Sequence, residues 1–247
     1  MPENKDPMDH KPKSKIDMPF LDHVEELRWR LIKVIASVAA MSIVSFAFAD
    51  HIFKFVIMPL GDTKLYFTEI TGSFYAYLKI SFYTGVFAAS PIVLYQLWRF
   101  IGPGLYDTEK KFVLPLVFSS SVLFLGGAAF CFFVVIPFAL RFLIGYGEGI
   151  FTPIITISNY ISFVGLLLIA FGVAFQLPVV GYFLGRIGIA TPQRLSRGRP
   201  YALIIILIGA AIITPPDVFT QLLLAGPLYL LYEITIFIVK ITAAKND

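Results

Sequence analysis

Long apolar segments separated by short polar connections are the feature that most limits the folds open to this chain. Segments of about 17 to 25 mostly apolar residues match the thickness of a bilayer. Four can be placed near residues 31–48, 74–97, 112–140 and 158–185, and residues 200–240 form two more, divided at Thr214-Pro215-Pro216-Asp217. A soluble core would not need such stretches, and 57% of the 247 residues are hydrophobic. The sequence therefore predicts an all-α, polytopic membrane protein with six transmembrane helices.

The fifth segment is unusually short. Tyr201 to Ile213 is only 13 residues, or about 20 Å of helix, whereas the hydrocarbon core of a bilayer is about 30 Å thick. We expect this helix either to thin the bilayer locally or to draw on polar flanking residues.

Basic residues orient the segments in the membrane. Of the 20 Lys and Arg residues, seven lie in residues 1–33, three in 98–111, four in 186–200 and two in 240–247. The positive-inside rule then places both termini in the cytoplasm. The pI near 9.1 follows from this distribution, so no nucleic-acid partner is inferred.

Both ends of the chain are polar. We predict a disordered cytoplasmic tail over residues 1–18, because that stretch is rich in proline and charge, a six-helix transmembrane domain over 19–241, and a short cytoplasmic tail over 242–247. Within 19–31, apolar residues recur at helical spacing at Phe20, Val24, Leu27 and Leu31. This pattern predicts an amphipathic interfacial helix before the first span, with Asp17 as its N-cap.

Catalytic and metal-binding patterns are missing from the sequence. It contains no His-Glu-x-x-His, no Gly-x-Ser-x-Gly and no Walker loop, and it has only three histidines. The single cysteine, Cys131, allows neither an intramolecular disulfide nor a thiolate metal site. We therefore expect no enzyme activity, no cofactor and no metal.

Two carboxylates lie on the predicted cytoplasmic side, next to spans. Glu26 has an ordinary explanation as an i,i+4 partner of Arg30, and Glu109 has one as a carboxylate near a helix N-terminus. The alternative is that both accept guanidinium groups from an incoming peptide, because the planar donors of arginine bind carboxylates bidentately. Phe100 and Tyr106 would then add apolar or cation–π contact.

Several polar residues fall inside predicted spans, where they are costly. Glu233 and Lys79 must face protein or water, unless Lys79 extends to the outer surface. Gln176 either forms a hydrogen bond with a neighbouring helix or has a functional role. Asp217 is well placed to cap the sixth helix.

Proline recurs in the spans, at Pro91, Pro115, Pro137, Pro178 and Pro227. It either bends the helices into a concave wall or reflects the general frequency of proline in membrane helices. The spacing Pro-x-x-x-Tyr-x-x-x-Arg occurs at both Pro91 and Pro178. It indicates either a shared geometry at the ends of two spans or a coincidence.

Four motifs, taken in order, closely resemble the TatC family, the polytopic subunit of the twin-arginine protein translocase. They are His23-Val-Glu-Glu26-Leu-Arg28-Trp-Arg30, the loop from Ser90 to Tyr106 with Glu109, Ala170-Phe-Gly-Val-Ala-Phe-Gln176-Leu-Pro178, and Thr214-Pro-Pro-Asp217-Val-Phe-Thr-Gln221. The resemblance covers the chain from Phe20 to about Lys240.

The resemblance implies a function and a set of site residues. It implies a curved bundle in a bacterial plasma membrane that binds twin-arginine signal peptides of folded proteins at the cytoplasmic face, with transport driven by the proton gradient. The signal-peptide positions correspond to Glu26, Arg28, Phe100, Leu105 and Glu109. Separately from these positions, the polar residues Gln176, Asp217, Gln221 and Glu233 are predicted to lie within the membrane or to contact partners. The implied partners are TatA-like and TatB-like single-span proteins packed beside the fifth and sixth spans, the lipid bilayer, and further copies of the chain.

One departure from the family pattern concerns the fourth span. The family often has a glutamate where this chain has Gln176, and an amide can neither form an ion pair nor take up a proton. A different class of function, a secondary transporter using Glu233, Lys79 and Gln176 as a midplane site, is the rival interpretation. It predicts paired internal repeats, for which the sequence offers only the short proline spacing.

Overall fold

The computed structural model describes residues 20–61, 63–101, 113–145, 154–214 and 217–243. These ranges are mainly helical. The helices are α1 (Phe20–Ala47), α2 (Ala49–Val56), α3 (Gly72–Ile101), α4 (Val113–Phe130), α5 (Ile136–Gly145), α6 (Ile157–Ala174), α7 (Leu177–Arg186), α8 (Pro192–Arg197), α9 (Arg199–Ile213) and α10 (Val218–Ala243). A 3₁₀ turn covers Met58–Leu60, and two short strands are β1 (Leu65–Tyr66) and β2 (Ile155–Thr156).

The predicted set of six apolar helices is confirmed. Five helical runs in the described ranges are long and apolar enough to cross a membrane: His23–Ala47, Gly72–Ile101, Leu114–Gly145, Ile157–Arg186 and Val218–Ala243. The sixth apolar helix, α9, has 15 residues, or about 22 Å. The short fifth helix expected from the sequence is therefore present. Of the predicted tails, residues 1–18 and 244–247 lie outside the described residues, and α10 continues to Ala243.

The predicted separation of an interfacial helix from the first span is wrong. Residues 20–47 form one continuous 28-residue helix, α1, because no proline or glycine interrupts that stretch. The predicted cap Asp17 lies outside the described residues. α1 packs mainly along α3, and the two backbones meet at Gly85. A Cβ built on Gly85 would lie 2.6 Å from the backbone nitrogen of Ser42 and 2.7 Å from its Cα.

Two of the predicted spans are interrupted rather than straight. The third contains a π-helical turn, Cys131–Val135, immediately before α5. Pro137 follows this turn, and the wider winding accommodates a residue that cannot donate the usual helical hydrogen bond. The fourth span breaks between α6 and α7 at Phe175 and Gln176, and Pro178 lies in the first turn of α7. Prolines thus mark both changes of helix geometry.

Two clusters of buried apolar side chains hold the bundle together, one towards each end of α3. The first cluster includes Ile80 of α3, Ile136 of α5 and Phe171 of α6. The second joins Trp98 near the end of α3 with α4 and with Phe183 of α7. Many large apolar side chains elsewhere are exposed, as expected for surfaces that face lipid.

Candidate functional site

The ends of α1 and α3 that carry the candidate peptide-binding residues meet in space. Arg30 donates from Nε to Oε1 of Glu26 at 3.0 Å and also from Nη2 to the same oxygen. Its Nη1 donates to Oε1 of Gln96, on α3, at 3.2 Å. The ordinary i,i+4 pair expected from the sequence is therefore formed, and it also connects α1 to α3.

The Glu26 carboxylate keeps one acceptor free in this arrangement. Its Oε2 is buried and has no hydrogen-bond partner within the part of the chain that the structure describes. A buried carboxylate oxygen that accepts no hydrogen bond is costly. The atom is therefore ready to accept a donor from outside the described residues.

Phe100 lies beside the same end of α1. The rings of Phe100 and His23 stack with centroids 4.5 Å apart and an interplanar angle of 17°, and His23 precedes Glu26 by about one helical turn. Arg28 is exposed on α1. The structure thus brings Glu26 and Phe100 to one end of the bundle. Leu105 and Glu109 lie outside the described residues.

Gln176 occupies the break between α6 and α7. Its Nε2 donates to the backbone oxygens of Ser120 at 3.0 Å and Gly172 at 3.4 Å, so it does bond a neighbouring helix. Its Oε1 is buried and without a partner among the described residues. Ser120 also accepts a hydrogen bond from the indole nitrogen of Trp98 at 2.8 Å. Sequence reasoning missed this link between three spans, because neither Trp98 nor Ser120 carries a local signal.

Lys79 does not depend on reaching the outer surface for its hydrogen bonds. Its ammonium donates to the hydroxyls of Ser158 and Ser162 on α6, at 2.7 and 2.9 Å. The two serines are four residues apart, and therefore on one helical face. That four-residue spacing is the sequence signal for this contact.

Glu233 forms a bidentate ion pair with Arg199. The distances are 2.7 Å from Nε to Oε1 and 2.9 Å from Nη2 to Oε2. Arg199 is the first residue of α9, so Glu233 lies level with the basic end of that helix. Both side chains are partly exposed. The cost expected for a carboxylate in the sixth span is offset by this partner.

The start of α10 is fixed by two side chains. Asp217 Oδ1 accepts from the backbone nitrogen of Thr220 at 2.7 Å, and Oδ2 accepts from the Thr220 hydroxyl, which confirms the predicted N-cap. Gln221 donates from Nε2 to the backbone oxygen of Leu207 at 3.0 Å. Gln221 thus joins α10 to α9.

The three polar groups of the transporter interpretation do not converge. Lys79, Gln176 and Glu233 bond to different partners on different helices. The spacing Pro-x-x-x-Tyr-x-x-x-Arg has the same local geometry in both copies, because Arg99 and Arg186 each donate to the tyrosine four residues earlier at 3.0 Å. Within the described ranges, no group of three or more His, Cys, Asp or Glu side chains is arranged to hold a metal.

Known proteins share this architecture. The family model described as "Sec-independent protein translocase protein (TatC)" matches residues 22–227. The TatC protein of Aquifex aeolicus is 42% identical over 235 residues, covering 93% of this chain and 98% of the relative. That of Desulforapulum autotrophicum is 38% identical over 234 residues, covering 93% and 87%. That of Helicobacter pylori strain J99 is 43% identical over 226 residues, covering 91% and 90%.

Solved structures agree with the sequence relatives. A crystal structure described as "Twin Arginine Translocase Receptor- TatC" superposes with a TM-score of 0.82 at 42% identity, covering 89% of this chain and 99% of that one. A second crystal structure of the same description, in DDM, superposes with a TM-score of 0.82 at 43% identity, covering 88% of this chain and 99% of that one.

The fold and these likenesses define a multi-pass membrane component of a bacterial protein translocase, a transport protein rather than an enzyme. The chain belongs to the TatC family of Sec-independent protein translocase proteins. The resemblance noted from the four motifs is confirmed.

Proposed function

We propose that the chain binds twin-arginine signal peptides at the end of the bundle where α1 begins and α3 ends. The observation that carries the proposal is the buried Oε2 of Glu26, which has no partner among the described residues. A peptide arginine donates to this oxygen while Arg30 holds Oε1. Because the buried Glu26 carboxylate is poorly hydrated, each charge-assisted hydrogen bond to it is more favourable than on an open surface.

The neighbouring residues complete the site in this proposal. Phe100, held against His23, offers an aromatic surface to the peptide. Arg28, Leu105 and Glu109 are assigned to the same site by the motif resemblance, with Glu109 as the acceptor for the second arginine. A lysine ammonium binds such an acceptor as a point charge and lacks the planar fork of arginine, so the site discriminates between the two.

The same face is proposed to be cytoplasmic, in a bacterial plasma membrane. The basic residues concentrated in residues 1–33, 98–111, 186–200 and 240–247 support this orientation. Both termini then lie in the cytoplasm, and folded substrates approach from that side.

TatA-like and TatB-like single-span proteins are the proposed partners, packed beside α9 and α10. Support comes from the exposed apolar side chains along both helices, such as Ile205 and Ile212 of α9 and Phe237 of α10. The 15-residue α9 is expected to thin the bilayer there. Self-association into a larger complex uses the remaining lipid-facing surface. The proton gradient supplies the energy, and Gln176 contributes hydrogen bonds but no titrating group.

The peptide-binding proposal is tested by equilibrium binding of a fluorescent signal peptide to the purified chain in nanodiscs. Loss of one charge-assisted hydrogen bond costs about 1.5 to 3 kcal/mol, or roughly ten- to a hundredfold in affinity. We expect Glu26→Gln to weaken binding of the Arg-Arg peptide by this factor. Glu25→Gln, a neighbouring exposed carboxylate, is the matched control and leaves binding unchanged. Equal losses in the two variants would contradict the role of Glu26.

A further inference from the structure

A polar pocket lies at the opposite end of the bundle, between the first turns of α3 and α6. β1 and β2 pair in parallel, with Leu65 opposite Ile155 and Tyr66 opposite Thr156. This pairing holds the segment after β1 over the start of α6. The partly open cavity has a volume of about 490 Å³, within the range of about 300 to 1,000 Å³ typical of small-molecule sites.

Lys79 supplies positive charge to this pocket. Its ammonium has three donor hydrogens, of which two bond to Ser158 and Ser162. The Ser162 hydroxyl donates in turn to the backbone oxygen of Ser158, so its oxygen is oriented to accept from Lys79. The third ammonium hydrogen has no acceptor in the described ranges, and Lys79 lines the pocket. An ammonium held in this way with one free donor is suited to bind an anionic group.

Glu69 supplies negative charge to the same pocket. It lines the cavity together with Lys79 and with the polar side chains of Thr68 and Asn159. Glu69 is exposed and, in the part of the chain that the structure describes, forms no ion pair with Lys79. The two opposite charges therefore face one cavity without neutralising each other by direct contact. A ligand that carries both a negative and a positive group satisfies both.

The rim of the pocket is apolar. Phe67 and Tyr75 line the cavity and are 62% and 51% exposed. Ile70, next to Glu69 in sequence, is fully exposed, and Ile154 precedes β2 with 73% exposure. Exposed apolar side chains continue down α3 at Phe74, Leu78 and Phe82. A polar interior with an apolar border that joins the lipid-facing surface fits an amphipathic ligand.

We propose that this pocket binds the headgroup of a zwitterionic phospholipid that carries a primary ammonium. Its phosphate accepts from Lys79 and the surrounding hydroxyls, its ammonium donates to Glu69, and its acyl chains lie along Phe67 and Tyr75. The site is distinct from the proposed peptide site, which lies at the other end of α3. The pocket thus anchors the outer ends of α3 and α6 in the leaflet opposite the peptide-binding face.

Native mass spectrometry of the detergent-purified chain measures this binding, with short-chain phosphatidylethanolamine, short-chain phosphatidylglycerol and soluble phosphoethanolamine as probes. We expect the wild-type chain to bind phosphatidylethanolamine roughly tenfold tighter than phosphatidylglycerol, the effect of one charge-assisted bond. Soluble phosphoethanolamine, which lacks chains for the rim, is expected to bind at least about tenfold more weakly than the lipid. Equal affinity for the lipid and the soluble headgroup would overturn the assignment to a lipid.

Two variants test the two pocket charges separately, and a third is their control. Glu69→Gln is expected to bind both lipids but to lose the preference for phosphatidylethanolamine. Lys79→Gln is expected to bind both lipids roughly tenfold more weakly. The amide introduced by Lys79→Gln can still donate to the serines, and a melting temperature within the wild-type range shows that the fold is intact. Lys64→Gln removes an exposed lysine before β1 that does not line the pocket, and it is expected to behave as wild type. Equal binding of the two lipids, unchanged in Glu69→Gln and Lys79→Gln, would refute the site.

Discussion

Replacement of Gly85 by alanine tests whether the close contact between α1 and α3 stabilises the bundle. The new Cβ would lie 2.6 and 2.7 Å from the Ser42 backbone nitrogen and Cα, whereas ordinary contacts between carbon atoms are about 3.5 to 4.0 Å. Because the obstructing atoms are backbone, the helices must separate locally by about 1 Å. This separation is expected to weaken the α1–α3 packing near Gly85, whereas the Arg30–Gln96 hydrogen bond lies about 18 Å away along α1.

The expected cost follows from overpacking, which typically destabilises by about 1 to 3 kcal/mol. Gly126→Ala is the matched control, because its Cβ meets nothing within 4 Å and both substitutions gain the same helix propensity. At about 2 to 4 °C per kcal/mol for a chain of this size, Gly85→Ala should melt roughly 2 to 12 °C below Gly126→Ala. Thermal circular dichroism in one detergent gives the comparison. Identical melting temperatures would refute the argument.

Two further sites test hydrogen bonds within and between the spans. Ser120→Ala leaves the indole nitrogen of the buried Trp98 without its acceptor. We expect the free energy of unfolding to fall by about 1 to 3 kcal/mol, measured by thermal unfolding together with the tryptophan emission. An unchanged melting temperature would argue against the bond. Asp217→Ala removes the cap of α10 and should cost about 0.5 to 2 kcal/mol. Asp217→Asn, which can still accept from Thr220, should retain most of that stability, and equal losses in the two variants would count against capping.

Local patterns predicted the membrane architecture well. Apolar segment lengths identified six helices and the short α9, and the position of Asp217 identified the cap of α10, because both are properties of adjacent residues. The apolar periodicity of residues 19–31 did not predict that α1 is continuous, because continuity depends on the lack of a helix breaker after that segment.

Long-range partners could not be predicted in the same way. The pairing of Arg199 with Glu233, of Lys79 with Ser158, and of β1 with β2 depends on which spans become neighbours. Nothing in a single span specifies its neighbour. For the candidate site, the motif resemblance supplied the residues, and the structure added the free oxygen of Glu26 and the stacking of Phe100 on His23.

Photocrosslinking from position 100 is the most direct test of the central claim, that the α1–α3 end binds paired arginines. A benzophenone amino acid replaces Phe100, and radiolabelled signal peptides carry either Arg-Arg or Lys-Lys, in the wild-type, Glu26→Gln and Glu25→Gln backgrounds. We expect crosslinks to the Arg-Arg peptide that fall roughly tenfold with Lys-Lys or with Glu26→Gln, and that persist with Glu25→Gln. Equal labelling by both peptides, unaffected by Glu26→Gln, would contradict it.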